Sequence, residues 1–183
     1  MITGAVRCLS VSEQQQRNSM SGTRPGTILK LRWLPSTDGG WIDLNLLLTE
    51  AEWEYTARAG TSTPFSTGGT ITTKQANFDG NYTFGDSTKG TYRQKTVDVG
   101  SFPPNAFGLH DMHGNVWEWV EDCYKRYADD GSAVTDVANC NRVQRGGSWG
   151  SYPRSLRSAS RNGYQRDGRD ERGGFRLART LGP

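Results

Sequence analysis

The stretch GLHDMHGNVWEWVED, residues 108–122, decides the fold more than any other part of the chain. Its first half is rich in the turn-forming residues Gly, Asp and Asn. Its second half places two valines and two tryptophans within residues 116–120. Val116, Trp117 and Trp119 include neighbours that point to opposite sides, as in a short strand or an abrupt turn. We therefore predict an ordered core segment here.

A second ordered segment, LLTEAEWEYTARAG at residues 47–60, predicts one clear α-helix. Thr49 is a good N-cap, and Glu52 three residues later completes a capping box. Arg58 favours the negative end of the helix, and Gly60 can adopt the left-handed conformation that ends one. The expected core face consists of Leu48, Ala51, Tyr55 and Ala59, with Trp53 beside it.

The remaining sequence predicts short strands joined by long loops. ILKLRWL (28–34), NRVQRGGSW (141–149) and GGFRLART (173–180) have strand-like patterns, and STDGGW (36–41) is a turn signal. One helix with several short strands indicates an α+β domain with a small antiparallel sheet. We expect residues 1–45 to form a flexible or atypical N-terminal segment and residues 46–183 to form the domain.

Length and composition are consistent with one modest domain. The chain has 183 residues, 33% of them hydrophobic, and 23 glycines. It has no apolar run of the roughly 18 to 20 residues that span a bilayer. The first residues, MITGAVRCLSVSEQQQ, lack the pattern of a secretory signal, so the expected location is cytoplasmic, with surface display left open.

Cysteine and histidine are too few for most metal centres. Cys8, Cys123 and Cys140 show no zinc-type spacing. Cys123 and Cys140 could approach each other across a loop, but reduced structural thiols are the favoured interpretation. His110 and His113 are the only histidines, which excludes a three-histidine site.

Charge is unevenly distributed along the chain. Residues 142–183 hold ten arginines against Asp167, Asp170 and Glu171, a local net charge of +7, whereas the whole chain carries only +3. Such asymmetry indicates either an anionic partner or pairing between arginines of one segment and acids of another. Nucleic-acid binding is the less favoured interpretation, because no helix-turn-helix or RNP-type pattern is present.

Four motifs in register carry a family resemblance. LTEAEWEYTARAG (48–60), VGSFPPNAFGLHDMHGNVWEWVED (99–122), RGGSW (145–149) and GFRLA (174–178) resemble the formylglycine-generating enzyme, or sulfatase-modifying factor, domain. The resemblance implies a C-type lectin-like fold with little regular structure. Fewer residues precede the helix than in the family's domains, so a truncated N-terminal part of that fold is expected.

The same resemblance bears on catalysis. Catalytic members bind copper through two cysteines that follow the GGS motif, and they oxidise a substrate cysteine. The corresponding stretch here, residues 150–161, has no cysteine, and Ser151 stands near the first position. Because copper(I) prefers thiolate ligands, no copper is expected. A formylglycine-generating enzyme is therefore the alternative rather than the main hypothesis.

The tail most resembles the variable proteins of diversity-generating retroelements, which keep this fold for binding. By that resemblance, residues 145–178 form the binding segment, and the partner is a protein or a glycan. Tyr, Ser, Gly and Asn are residue types that binding loops use. The competing interpretation is a plain loop in which Arg145, Arg157, Arg161 and Arg176 pair with acids such as Glu118 and Asp122. The predicted ligand-binding residues are Gly150, Ser151, Tyr152, Ser155, Ser160, Asn162, Gly163, Tyr164, Gly168, Asp170, Arg172 and Gly173.

The family resemblance also predicts a structural calcium site. Asp111 and Glu118 would supply side-chain oxygens, and Gly114 and Val116 would supply carbonyls. Such a set of hard oxygen ligands suits Ca²⁺. The competing interpretation is a turn in which Glu118 pairs with an arginine.

Overall fold

The computed structural model describes residues 33–35, 41–43, 47–127, 132–135 and 139–178. The chain divides into two compact units, one comprising residues 1–48 and 176–183 and the other residues 49–175. In the first unit, strands β1 (Trp33–Pro35) and β2 (Trp41–Asp43) pair in antiparallel fashion. β1 overlaps the end of the strand predicted at 28–34. The rest of that prediction, and most of the segment predicted to be flexible, lies outside the described residues.

The second unit contains one helix and a four-stranded sheet. Its elements are α1 (Glu50–Arg58), β3 (Trp117–Cys123), β4 (Arg142–Arg145), a 3₁₀ turn (Pro153–Leu156), β5 (Asn162–Tyr164) and β6 (Gly173–Phe175). The strand order is β5-β4-β3-β6. Among the described residues, no helix is long and apolar enough to cross a membrane.

The sheet is mixed, whereas the sequence predicted an antiparallel one. β4 is antiparallel to both β3 and β5, but β6 is parallel to β3. The reason lies in the connection between β5 and β6, residues 165–172. These two strands occupy opposite edges, so the connection must cross a face of the sheet, and β6 then pairs parallel to β3.

Helix α1 has the predicted start but a different buried face. The Thr49 hydroxyl accepts from the Glu52 amide at 3.3 Å, and the Glu52 carboxylate accepts from the Thr49 amide at 2.9 Å, which confirms the capping box. The left-handed C-cap is Ala59. The expected core face is wrong in part, because Tyr55 is 67% exposed. The buried helix residues are Glu50, Trp53, Thr56 and Ala57.

The two faces of strand β3 have different roles. Glu118, Val120 and Asp122 are buried, and two of them contact the helix directly. The Trp53 indole donates to Glu118 Oε2 at 2.7 Å, and the Glu50 amide donates to Asp122 Oδ2 at 2.7 Å. Since strand residues alternate in direction, Trp119 faces the opposite side and is only half-buried. One face of the sheet is therefore packed on α1, and the other is more open.

Asn115 holds the long loops that precede the sheet. Its side-chain oxygen accepts from the Asn77 side chain at 3.1 Å and from the Val97 amide at 3.0 Å. Its backbone amide donates to the Asn77 carbonyl at 2.8 Å. Gly114 is required beside it, because a Cβ there would overlap that carbonyl oxygen. This buried amide provides partners for loop backbone groups that regular structure would otherwise pair.

A disulfide joins Cys123 to Cys140. The prediction of reduced thiols is therefore wrong for these two residues. Cys123 ends β3 and pairs with Arg142, so the bond closes the connection between β3 and β4. Disulfides are typical of proteins in oxidising compartments, and the compartment of this protein stays a prediction.

Candidate functional site on the open face of the sheet

Two framework arginines tie the tail to helix α1. Arg145, fully buried, lies 3.3 Å from Glu50 Oε1 and 2.5 Å from Glu54 Oε2, with its guanidinium 5.0 Å from the centre of the Trp53 ring. Arg161 binds both carboxylate oxygens of Glu50 at 2.6 Å. Ion pairs to helix α1 therefore fix the first part of the tail.

These contacts correct the predicted pairing. The sequence suggested Glu118 and Asp122 as partners for the tail arginines, but Arg145 and Arg161 pair with the helix acids Glu50 and Glu54. For Arg145 and Arg161 the predicted partners are therefore wrong, and Asp122 accepts instead from the Glu50 backbone amide. Arg157, in contrast, is exposed and donates to the Arg154 carbonyl.

A cleft of about 220 Å³ opens on the other face of the sheet. Its lining combines sheet residues with residues of the crossing connection, namely Trp119, Gln144, Tyr164, Gly168, Arg169, Asp170 and Gly173. Asn162, Gln144 and Trp119 are register neighbours across β5, β4 and β3, so they share one face. The Tyr164 ring packs on Trp119 with centroids 5.8 Å apart.

Some of the polar groups that line the cleft already form hydrogen bonds within the protein. Gln144 Oε1 accepts from Asn162 Nδ2 at 3.0 Å. Asp170 receives the backbone amide, Nε and Nη2 of Arg172 at 2.9, 3.1 and 3.0 Å. These hydrogen bonds hold the pKa of Asp170 below its ordinary value. The ion pair also shapes the connection into a turn, since the Gly173 amide donates to the Asp170 carbonyl.

A second surface lies around the start of the tail. Tyr152 is 44% exposed and packs against the equally exposed Tyr82, with ring centroids 4.2 Å apart. The Arg154 guanidinium lies 5.6 Å from the centre of the Tyr152 ring. A Cβ at Gly150 would stand 3.5 Å from the Arg172 side chain. The start of the tail therefore contacts the connection that covers the cleft.

The predicted ligand-binding residues differ in what they offer a partner. Four of them line the cleft, namely Tyr164, Gly168, Asp170 and Gly173. Asn162 and Arg172 donate hydrogen bonds to the lining residues Gln144 and Asp170. Ser160 is only 8% exposed, and its hydroxyl donates to the Arg154 carbonyl. The Ser151 hydroxyl accepts from the Ser148 amide at 3.0 Å. Ser155 and Gly163 are half-buried, and Gly163 lies against the Tyr124 ring.

Sequence reasoning missed three aromatic or amide contributors. Trp119 and Gln144 line the cleft, and Tyr82 extends the exposed surface from a loop far from the tail. The alternation within WEWV (117–120) could have indicated Trp119, because alternate residues of a strand face opposite sides of the sheet and one side is more open. Nothing in the loop sequence indicates Tyr82.

Glycines in the tail fall into two groups. The framework residues Gly146 and Gly147 have φ of 89° and 78°, a conformation that favours glycine. Gly150 and Gly173, predicted to contact ligand, have φ outside the left-handed region, and a Cβ there would meet nothing closer than 3.5 and 3.4 Å. A Cβ at Gly168 would press on the Tyr164 ring, a side chain that could rotate.

Three of the four predicted calcium ligands, Asp111, Gly114 and Glu118, accept hydrogen bonds within the protein. Asp111 Oδ2 accepts from the Gly100 amide at 2.7 Å, the Gly114 carbonyl from the Val116 amide at 2.9 Å, and Glu118 Oε2 from Trp53. No group of three His, Cys, Asp or Glu side chains that could hold a metal occurs within the described ranges. The oxygen ligands suit a hard cation in type, and the calcium site stays a prediction.

Copper ligands of the kind expected for catalysis do not fit this site. Residues 150–174 contain no cysteine. Cys123 and Cys140 are bonded to each other, and Cys123 is fully buried. Cys123 is also four residues beyond Trp119 along β3, about 13 Å at the rise of a strand. Neither Cys123 nor Cys140 is among the residues that line the cleft.

A family model covers most of the chain. Residues 32–181 match the sulfatase-modifying factor enzyme 1-like domain. Relatives include serine/threonine-protein kinase pkn1 of Chlamydia pneumoniae, 33% identical over 77% of this chain and 22% of its own length. Two mouse relatives are inactive C-alpha-formylglycine-generating enzyme 2, at 33% over 74% and 43%, and formylglycine-generating enzyme, at 32% over 72% and 38%. The chain thus spans less than half of each relative's length.

Two solved structures are also similar. PvdO from Pseudomonas aeruginosa is 39% identical with a TM-score of 0.61, covering 76% of this chain and 54% of that one. Treponema denticola variable protein 1 is 29% identical with a TM-score of 0.58, covering 78% and 49%. With the one helix and the small sheet of the described residues, these likenesses confirm the predicted α+β, C-type lectin-like fold.

Proposed function

The chain belongs to the sulfatase-modifying factor enzyme 1-like domain family, and from that premise we propose that it is a non-catalytic recognition domain. The twelve predicted contact positions within residues 150–173 contact a protein partner, and a diversity-generating retroelement rewrites them. The rest of the unit is a fixed scaffold. Family membership alone does not decide activity, because function depends on the site.

The contrast among the tail glycines is the observation that carries this proposal. Gly146 and Gly147 have backbone conformations that few other residues adopt, whereas Gly150 and Gly173 do not. A segment that is rewritten must accept many residue types at the changing positions while its framework stays intact. The backbone at Gly150 and Gly173 meets that requirement, and the backbone at the two framework glycines does not.

The chemistry of the tail supports recognition over oxidation. Residues 150–174 contain no cysteine, and Cys123 and Cys140 form a disulfide with each other. Exposed Tyr152 and Tyr82 offer large, rigid contact areas, as binding surfaces commonly do. The names of the relatives agree with either outcome, since they include a formylglycine-generating enzyme and an inactive one.

A saturation library tests the scaffold part of this proposal. Each of Gly146, Gly147, Gly150 and Gly173 is replaced by all residue types in the displayed protein, and folded molecules are counted by resistance to protease. We expect most substitutions to keep the fold at Gly150 and Gly173 and to lose it at Gly146 and Gly147. Equal tolerance at all four positions would contradict the proposal.

A peptide assay tests the absence of catalysis. The purified chain is incubated with copper(I), oxygen and a peptide containing the CxPxR motif, and formylglycine is measured by mass spectrometry. We expect no product, because no cysteine pair is available to bind copper beside the cleft. Turnover that is lost when the cysteines are alkylated would restore the formylglycine-generating alternative.

A further inference from the structure

We propose that the sheet-face cleft binds a carboxylate, presented by an acidic side chain of a protein partner. This inference rests on the proposed function, since it names the chemistry that the tail surface recognises. It depends on the side chains of Gln144 and Trp119, which belong to the fixed sheet.

Two hydrogen-bond donors converge at one point of the cleft. Gln144 is only 3% exposed, and its Oε1 already accepts from Asn162. Its Nε2 and the indole Nε1 of Trp119 donate no hydrogen bond to any residue that the structure describes. A Cβ at Gly173 would stand 3.6 Å from the first nitrogen and 3.7 Å from the second. Both N–H groups therefore border the space beside Gly173.

A ligand in that space must accept hydrogen bonds. An amide NH₂ and an indole N–H can only donate, so a group with acceptor oxygens is required. The Asp170 carboxylate does not compete with a ligand for these two donors, because it already accepts three hydrogen bonds from Arg172. A carboxylate matches these two donors better than a neutral amide does, since charged acceptors form the stronger hydrogen bonds.

The size of the cleft and the charge around it favour a protein side chain as the source. About 220 Å³ is less than the roughly 300 to 1,000 Å³ of pockets that enclose whole small molecules. One Asp or Glu side chain is a better fit to that volume. The exposed Arg154, Arg157 and Arg166 belong to the same basic tail, which would attract an acidic protein surface.

Binding of blocked glutamate to the whole chain tests the proposal. The probe is N-acetyl-glutamate N-methylamide, and the readout is the Trp119 indole N–H signal in ¹⁵N-correlated NMR spectra. We expect a saturable shift, with blocked glutamine binding at least about tenfold more weakly. No shift, or an equal response to blocked glutamine, would overturn the carboxylate assignment. A response to glucuronate without a response to blocked glutamate would overturn the protein source.

Two variants and one control locate the binding. Gly173→Ala places a methyl group between the two donors without strained backbone, and Gln144→Leu removes one donor; each should weaken blocked-glutamate binding at least about tenfold. Gln165→Leu, at an exposed tail position outside the lining, should leave binding unchanged. Circular dichroism checks that each variant is folded. Full binding by folded Gly173→Ala would refute the site.

The proposed function can fail separately. If substitutions at Tyr152 abolish binding to a whole protein partner while Gly173→Ala and Gln144→Leu do not affect it, recognition by the tail stands and the carboxylate cleft falls. If blocked glutamate binds as described but no tail substitution affects binding to any protein partner, the carboxylate cleft stands and recognition by the tail is refuted.

Discussion

Replacing Arg145 with methionine should destabilise the domain strongly, because this residue joins the tail to helix α1. Arg145 is fully buried and pairs with Glu50 and Glu54, and it also donates to the Ser160 carbonyl. Breaking a buried ion pair by removing one partner costs about 3 to 5 kcal/mol. We expect the lower end, about 3 kcal/mol, since Glu50 keeps Arg161 and Glu54 is partly exposed.

The matched control is Arg58→Met, which removes another arginine from the same Glu54. That pair is 28% and 25% exposed, so its loss should cost only about 0.2 to 1 kcal/mol. Urea unfolding at 25 °C measures both. With a slope of about 1 to 3 kcal/mol per molar urea, the Arg145 variant should unfold about 1 to 3 M earlier than the parent. Similar small losses in both variants would refute the reasoning that Arg145 anchors the tail.

Three further predictions concern the scaffold. Reducing the disulfide between Cys123 and Cys140, which are 17 residues apart, should lower the unfolding free energy by about 3 kcal/mol. The stability of a Cys123→Ala/Cys140→Ala variant should not change with reductant. If reductant leaves the urea midpoint of the parent protein unchanged, the disulfide is wrong. Burial lowers the pKa of His113 from its ordinary value of 6.5. The unfolding free energy should therefore be highest above pH 6.5 and fall as the pH drops towards the lowered pKa. In His113→Gln this dependence on pH should be weaker, and a parent protein whose unfolding free energy does not change with pH would contradict the prediction. Calcium should raise the melting temperature of the parent but not of Asp111→Ala or Glu118→Ala, and the calcium site is wrong if the parent does not respond.

The parts of the fold that could be predicted are those with local causes. The capping box depends on Thr49 and Glu52 alone, and the strand at 142–145 has a local pattern. The buried face of α1 could not be predicted by helical periodicity, because Glu50 is buried by arginines from the distant tail. The parallel pairing of β6 likewise depends on where the 165–172 connection crosses the sheet, and no local pattern encodes that crossing.

The candidate site shows the same division. Composition predicts contact residues in the tail, and the structure shows that Tyr152 is exposed and Tyr164 half-buried. Composition could not show that the Ser160 hydroxyl donates to the Arg154 carbonyl, a contact made at the end of the 3₁₀ turn. Nor could it show that Gln144 and Trp119 border the cleft, since that follows from strand register. The spacing of Cys123 and Cys140 does not show that β3 and β4 bring the two cysteines together.

Natural variation in the gene tests the central claim most directly. Codons 145–178 are sequenced from many isolates of the source organism and compared with any near-repeat of that segment beside a reverse transcriptase gene. We predict that substitutions fall on the twelve predicted contact positions, at template adenines, and spare Arg145, Gly146, Gly147 and Phe175. Substitutions spread evenly over the segment, or concentrated in its framework, would contradict a scaffold that presents a rewritten recognition surface.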